Sequence, residues 1–491
     1  MHEYEEFEEK PQPTRRHGGR RFLKHALLVV GILFVLAYIA RWQVGRVGQR
    51  QLNAAINQLD STEPGWRLED IETARRQASP PPEINPATVV LQLSATIPPK
   101  WQESDPTGNW DWGPVTNYHP SFFELMWLAE RQKLTAPARE KSRQQLLQPD
   151  VFNCPRGHYE VIQKDNPIMT LLPHIEKARN VLSLLEYDSK LSTLGGQANR
   201  GISTSRACLV IGRSIGDEPY LISQLVRLAC DRVSVQATLQ VLAWSEPKEG
   251  LAELQKELRS EADTPWFQYG LRGERGMMNK LFDGLQNGTI SIQDIEGMTN
   301  QKSTIKEAAY RIYKAMLPGD QAKSLEILTA YLEAAKLPPH EQKAALAQIK
   351  MPPRPPEDIR YLVTNMMVPA CQNVAQACLR TRADLLTGSV AIACERYRIA
   401  KGQWPESLAE IPREILPDIP IDPFNGKPIQ YRKLEDGVIV FTIGDELDAQ
   451  RRNNRGAMDP KDPVGDHGRG WKLWNKELRG IPRPLPNTDP Q

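Results

Sequence analysis

The hydrophobic pattern of the chain divides sharply near its amino end. Ala26 to Ala40 reads ALLVVGILFVLAYIA, carries no charge, and ten of its fifteen residues are Leu, Ile, Val or Phe. At about −0.3 to −0.6 kcal/mol each, these side chains favour membrane insertion by roughly 3–6 kcal/mol. A bilayer core of ~30 Å needs roughly 20 helical residues. Phe22 and Leu23 lengthen the run, Lys24 and His25 can snorkel, and Trp42 suits the far interface. A soluble core helix of this length would show a polar stripe, and this one shows none. The pattern predicts a transmembrane signal anchor over 22–42, in contact with the lipid bilayer.

Beyond the anchor the periodicity becomes helical and amphipathic. Residues 43–78 carry Leu52, Ala55, Ile56 and Leu59 at helical spacing, as a polar stalk would, and Ser79-Pro80-Pro81-Pro82 stops them. Residues 98–120 are rich in Pro, Gly, Asn, Asp and Trp and read as an irregular segment, so 43–120 is stalk plus connector. From about Phe122 to Ile399 the pattern is helical almost throughout. Leu221, Ile222, Leu225, Val226, Leu228 and Ala229 share a face, after an acidic and proline-bearing start at Asp217-Glu218-Pro219. Further periodic runs are Ile168–Leu194, Leu251–Leu258, Met277–Leu285, Ile305–Leu317 and Ser324–Ala335, separated by turns such as Gly195-Gly196 and Glu246-Pro247. Consecutive helices of this length are similar to tetratricopeptide-like arrays, but no 34-residue period appears, so 121–350 is an α-helical hairpin domain and not a true repeat.

Pro352-Pro353-Arg354-Pro355-Pro356 marks the next boundary. A long helix follows from about Glu357 to Ala400, with Pro369 as an expected kink. Two strands then read out at Pro428–Arg432 and Val438–Ile443, joined through Glu435-Asp436-Gly437, a strong hairpin signal. The fold class is mostly α: an N-terminal transmembrane helix, the hairpin domain, and a small α+β module with an antiparallel hairpin over 357–450. Residues 451–491, with prolines from Pro482 to Pro490, read as a disordered tail.

Charge and composition narrow the partners. Arg15, Arg16, Arg20, Arg21 and Lys24 precede the span and Arg41, Arg46 and Arg50 follow it, a bias that puts the cytoplasmic tail 1–21 inside and the bulk of the chain outside the cytoplasmic (inner) membrane. The run ends Ala37-Tyr38-Ile39-Ala40, which lacks the small-residue pattern of a cleavage site, so the anchor stays single-pass and uncleaved. Arg20-Arg21-Phe22-Leu23-Lys24 is one residue short of a twin-arginine export signal. The 62 basic and 60 acidic residues give a net charge of +2 and no electrostatic case for nucleic acid. Of the cysteines, Cys208, Cys230, Cys371, Cys378 and Cys394 fall in apolar helical patterns and read as buried thiols; with Cys154, one or two disulfides remain open, since an exported location permits them.

One stretch carries a family likeness. On the helix lie Ala391, Ile392 and Tyr397-Arg398; then come Gly402-Gln403-Trp404-Pro405, Leu408, Asp422-Pro423-Phe424-Asn425-Gly426-Lys427-Pro428, Tyr431 and Ile443-Gly444-Asp445. Over about Gly388 to Asp448 the chain resembles the C-terminal part of the type II secretion major pseudopilins. The resemblance implies a helix turning at a Gly-x-Trp-Pro corner, an Asp-Pro-Phe loop, and a small antiparallel sheet on the helix. Gly402 suits a left-handed cap, Trp404 a helix–sheet groove and Asn425-Gly426 a turn. Pseudopilins join this module directly to a leader-bearing helix with a conserved-type glutamate; here the membrane helix lacks that residue and lies far upstream, so prepilin processing and fibre assembly are not implied. Gly212-Arg213-Ser214-Ile215-Gly216-Asp217-Glu218-Pro219 and Ile222–Arg227 are similar to a family of uncharacterised bacterial membrane-anchored helical proteins, which implies architecture only.

Candidate chemistry is sparse. Gly212-Arg213-Ser214-Ile215-Gly216 matches G-x-S-x-G after Cys208-Leu209-Val210-Ile211, which could pass for a strand; a nucleophile elbow would make Ser214 the attacking group of an envelope serine hydrolase. Helices on both sides argue instead for a loop at Gly212 and Gly216 with Asp217 capping the next helix. Downstream, only His340, in a Pro-Pro-His turn, and His467 could serve as base. Cys154-Pro155-Arg156-Gly157-His158 lacks a second ligand pair and reads as a turn. Asp445 and Asp448, with Glu446, are the candidate metal ligands, and oxygen donors there suit calcium, which the resemblance also implies. Arg451, Arg452 and Arg455 oppose a cation, and a solvated loop is the expectation, with no cofactor. Arg272-Gly273-Glu274-Arg275-Gly276 reads as a helix boundary with intrahelical ion pairs, or a surface turn. Trp101, Trp110 and Trp112 could form a binding platform or pack onto the body. The expected function is a membrane-anchored extracytoplasmic scaffold with an envelope protein partner and no catalysis; the alternatives are the Ser214 hydrolase and an accessory factor of a secretion or pilus-like system.

Overall fold

The computed structural model describes residues 18–103, 122–292, 294, 313–354, 357–444 and 469–480. Helix α1 (Gly18–Thr62) runs unbroken for 45 residues, about 68 Å at 1.5 Å per residue. The described side chains of its apolar half are exposed, and it is the one described helix apolar and long enough to cross a membrane. Its second half is no free stalk. Leu52 and Leu59 are buried against Ala322, Leu325 and Trp66. The backbones meet at two glycines: a Cβ on Gly48 would lie 2.7 Å from the Gly319 amide nitrogen. The stripe seen in the sequence is therefore a packing face.

Two short helices, α2 (Leu68–Gln77) and α3 (Pro86–Ser94), occupy part of the expected connector. Asn85 starts α3 by accepting from the Ala87 amide at 3.0 Å. The body continues through α4 (Phe122–Leu146), α5 (Pro149–Phe152), α6 (Pro173–Leu194), α7 (Ala198–Ile215), α8 (Leu221–Trp244), α9 (Leu251–Ala262), α10 (Trp266–Asn287), α11 (Leu317–Lys336), α12 (Pro339–Gln348), α13 (Leu362–Met367) and α14 (Ala370–Lys401). Helices α6, α7 and α8 pack together, and α3 covers the face carrying Cys208, Val210 and Ile211. The expected long helix from Glu357 is divided. Val368 and Pro369 separate α13 from α14, because proline cannot donate into the preceding turn. Asp320, on α11, caps α13 from outside by accepting from the Val363 and Thr364 amides.

The carboxyl end follows the helix–corner–hairpin pattern. Gly402 takes φ 78° after α14, and its N–H returns to the Arg398 carbonyl at 2.8 Å. Trp404 is buried and its indole N–H donates to Asn475 at 2.7 Å. Strands β1 (Gln430–Leu434) and β2 (Gly437–Thr442) pair antiparallel, with Leu434 opposite Gly437. A third strand, β3 (Arg469–Trp474), pairs with β2, with Gly437 opposite Trp474. The segment 451–491 is therefore not irregular throughout. The ring of Trp471 seats on α14 at Gly388, where a Cβ would lie 2.4 Å from it. Val438, Val440, Trp471 and Leu473 join the same core as Leu254, Leu328 and Val390, so the proline run at 352–356 interrupts the chain but not the core.

Candidate functional site

The G-x-S-x-G segment is helical. Cys208–Ile211 and Gly212 lie inside α7, and only Gly216 leaves it. Periodicity over four apolar residues could not separate strand from helix. Ser214 is 0% exposed and donates to the Ile211 carbonyl of its own helix at 2.6 Å. The Tyr159 hydroxyl lies 2.9 Å from its oxygen. Tyr159 stacks on His174, centroids 4.4 Å apart, and His174 Nε2 lies 2.9 Å from Glu218. Ser223 donates to the same carboxylate at 2.5 Å. Serine, histidine and acid thus come near one another with a tyrosine ring between hydroxyl and imidazole. No strand–turn–helix presents Ser214 to a substrate, and burial raises the Tyr159 phenol above its ordinary range. The sequence singled out Ser214; it had no signal for Tyr159 or His174.

Asp217 does not cap α8, whose N-cap is Tyr220. It accepts instead from Arg156 at 2.6 Å and Arg75 at 3.1 Å. Those arginines come from distant segments, and their charge outweighs a local amide. Gly157 lies against the end of α7, its N–H donating to the Arg213 carbonyl at 2.7 Å. Cys154 and His158 flank this turn without converging: the thiol donates to the Arg156 carbonyl at 3.2 Å, and the His158 amide donates to Asn85.

Two more charge centres lie in the body. Asp188, 0% exposed, accepts from Arg139 at 2.6 Å, Arg200 at 2.7 Å, Thr204 at 2.8 Å and Arg143 at 3.0 Å. Burial opposes its ionisation, but the Arg200 hydrogen bond and the arginine charges prevail and hold it below the usual carboxylate range. Glu261 bridges Arg213 and Arg227, at 2.5 and 3.0 Å. Beside it Asp231 is buried with neither oxygen hydrogen-bonded among the described residues. Burial, and after it the neighbouring Glu261 charge, push its carboxyl well above the ordinary range.

The remaining candidates separate. Asp445 and Asp448, with Glu446 and Arg451, Arg452 and Arg455, lie outside the described residues. Among the described residues no three His, Cys, Asp or Glu side chains converge on a metal position. All six cysteines are buried and free. Arg272–Gly276 is neither boundary nor turn but the interior of α10, and Arg275 pairs with Glu63 at 2.5 Å. Gly273 is small because the Pro219 carbonyl lies where its Cβ would be, 1.8 Å away. Trp101 packs on Trp127 and Tyr187, whereas Trp110 and Trp112 lie outside the described residues.

Among the described residues an open cleft of about 600 Å³ lies between the helical body and the carboxyl module. Trp266 and Phe267 belong to its lining, with Pro338 from the α11–α12 connection and Pro420 and Pro423 from the loop before β1. Leu337 and Ile421 on its rim are 39% and 46% exposed. An Arg259–Asp418 ion pair at 2.9 Å ties α9 to the module across one side. His340 lies against Gly426, where a Cβ would meet its ring at 2.7 Å, and closes another. The lining also carries Arg259, Asp263, Lys336, Arg382, Asp418 and Asp422, and Trp266 and Phe267 are themselves buried, so prolines, the exposed Leu337 and Ile421 and charged groups of both signs share the accessible wall. Compared with known proteins, the chain matches no family model, no curated protein and no solved structure.

Proposed function

We propose that the chain is a membrane-anchored scaffold of the cell envelope, with its body on the extracytoplasmic face of the inner membrane, and that its cleft holds an extended, proline-containing segment of a partner protein. The observation that carries this is the cleft with prolines, exposed Leu337 and Ile421 and charges of both signs, on a body joined to an apolar helix without a hinge. Prolines and aromatic faces bind preformed extended chains at low entropic cost. The basic residues before the span support the orientation. The buried Ser214 supports binding over acyl transfer.

A photoreactive side chain at Leu337 or Ile421, placed in the full-length protein in living cells, tests the reading. The expected adducts from both positions map to one contiguous segment of one envelope protein, and are absent from an exposed position outside the cleft lining such as Ile222. Adducts scattered over unrelated proteins, or none, refute the scaffold. Digestion of the body by protease added to intact spheroplasts, and its protection in intact cells, is the outcome expected for this topology; protection in spheroplasts that is lost only on permeabilisation refutes it. The helix–corner–sheet arrangement of α14 and β1–β3 supports a narrower form, an accessory factor of a secretion or pilus-like system. That form predicts that the cross-linked partner is a secretion component and that deletion abolishes secretion.

A further inference from the structure

We propose that the point where α1 leaves the membrane is a binding site for the headgroup of an anionic phospholipid. The inference rests on α1 spanning the bilayer, and it concerns a surface distinct from the cleft. Tyr38, Arg41, Trp42, Gly45, Arg46 and Gln49 recur at three- and four-residue spacing, which puts them on one face of α1. Beside that face lies Ala315, at the entry to α11, and together they line an open, shallow recess of about 690 Å³. The recess is held open by packing: Gly45 approaches the Ala315 carbonyl, and one turn further Gly48 touches Gly319. From Trp42 to Gly48 is about 9 Å along the helix, so the body begins within a headgroup's depth of the interface that Trp42 marks.

The chemistry of the recess is that of a phosphodiester against an apolar wall. Arg46 lies over the Trp42 ring at 4.7 Å, which fixes its guanidinium on the recess side. Arg41 and Arg46 are exposed and make no ion pair among the described residues, nor does Lys314 next to Ala315. Directly beyond them the exposed aliphatic side chains Leu33, Val35, Leu36 and Ile39 begin, so a lipid seated here keeps its chains on the span while its phosphate meets two guanidinia. Arginine fork geometry suits a phosphate, and an aromatic pair suits the interfacial layer. In the proposed orientation these arginines stand on the side where basic residues are ordinarily sparse. An anionic lipid partner accounts for their being there.

Native mass spectrometry of the full-length protein released from mixed phosphatidylcholine and phosphatidylglycerol micelles reads the site directly. The wild type is expected to retain phosphatidylglycerol in preference, and the double variant Arg41→Gln, Arg46→Gln to lose that preference by on the order of thirtyfold, taking two basic contacts at the headgroup layer. Arg413→Gln, an exposed change on the carboxyl module, is expected to leave it unchanged. Retention of the preference by the double variant, an equal loss in Arg413→Gln, or equal retention of both lipids by the wild type overturns the site. Flotation of the same proteins with neutral phosphatidylcholine vesicles separates the two levels. Flotation without lipid preference leaves the span standing and removes the site; failure to float removes both. Both arginines are solvent-exposed, so the variants fold, and unchanged helical circular dichroism verifies it.

Discussion

The pair Ser214 and Tyr159 offers the sharpest discrimination between a buried hydrogen bond and a nucleophile. Ser214 donates to the Ile211 carbonyl and receives the Tyr159 hydroxyl at 2.9 Å, in a site with no solvent access to the serine. In Ser214→Ala the Tyr159 hydroxyl is left buried with no acceptor, a loss of about 1–3 kcal/mol. In Tyr159→Phe the serine keeps its own acceptor, and the cost is about 0.5–1 kcal/mol. With both changes no orphaned group remains, so the double variant is expected within about 1 kcal/mol of wild type, a coupling of about 1–2 kcal/mol. Equilibrium urea unfolding of the detergent-solubilised full-length protein, followed by far-ultraviolet circular dichroism, measures the cycle. A fluorophosphonate probe is expected to leave the folded wild type unlabelled at Ser214. Additive single effects, a silent Ser214→Ala, or stoichiometric labelling of Ser214 would refute the burial argument, and labelling would restore the hydrolase.

Other perturbations follow the same physics. Asp188→Asn removes the counter-charge of Arg139, Arg143 and Arg200 and is expected to cost about 3–5 kcal/mol in the same unfolding assay, as breaking a buried ion pair does; a cost below about 1 kcal/mol would contradict the assigned burial. Gly273→Ala puts a Cβ 1.8 Å from the Pro219 carbonyl, a backbone clash that should cost about 1–3 kcal/mol or more, read as a lowered urea midpoint; an unchanged midpoint would show that α10 and the loop before α8 do not meet there. Burial raises the Glu274 carboxyl from 4.5 to about 7. The folded state then binds the proton more tightly than the unfolded one, so its contribution is full below pH 4.5 and declines as pH rises to about 7, by up to about 3 kcal/mol. Glu274→Gln should therefore flatten the stability profile between those values and gain stability at pH 8 relative to wild type; parallel profiles would reject the shift.

What the sequence made legible was whatever repeats locally. The apolar run of α1, the helical stripes of α6 and α8 to α11 and the Asp436-Gly437 hairpin each encode an element within a few residues, and each is present, while most of the stripe Ile305–Leu317 lies outside the described residues. The losses occur where a distant partner decides. Asp217 looked like a cap because a cap is local, yet Arg75, at a separation of 142 residues, takes its carboxylate. Arg272–Gly276 looked like a boundary because two glycines weaken a helix, but the Pro219 carbonyl and the Leu68 backbone sit where their Cβ atoms would be. Strand β3 has only six residues, and it is a strand because β2 offers it an edge and α14 offers Trp471 a place at Gly388. The charged centres were the least legible of all: an arginine destined for Asp188 and one destined for solvent have the same letter and the same helical spacing.

That asymmetry bears on function as well as fold. The stripe Leu52, Ile56 and Leu59 read as the apolar spacing of a stalk, and nothing local said that it would be a buried face beginning at Gly45 and Gly48, immediately beyond Trp42. Because it does, the chain has no flexible tether between the apolar helix and the body: one continuous helix serves as both. In the proposed anchored arrangement, a body fixed this way keeps its distance from the bilayer and its rotation about α1, since both would be set by the Gly48–Gly319 contact rather than by linker entropy. A scaffold gains from that constraint, because a partner segment in the cleft is then presented at a defined height above the membrane. Gly48→Leu therefore tests more than packing. By forcing a side chain into the Gly319 backbone it should weaken the α1–α11 contact while leaving the cleft residues unaltered. If adducts from Leu337 and Ile421 persist with undiminished yield in a Gly48→Leu protein whose α1 has been released from the body, partner capture does not depend on the rigid joint, and the mechanical part of the scaffold reading fails even where the cleft itself survives.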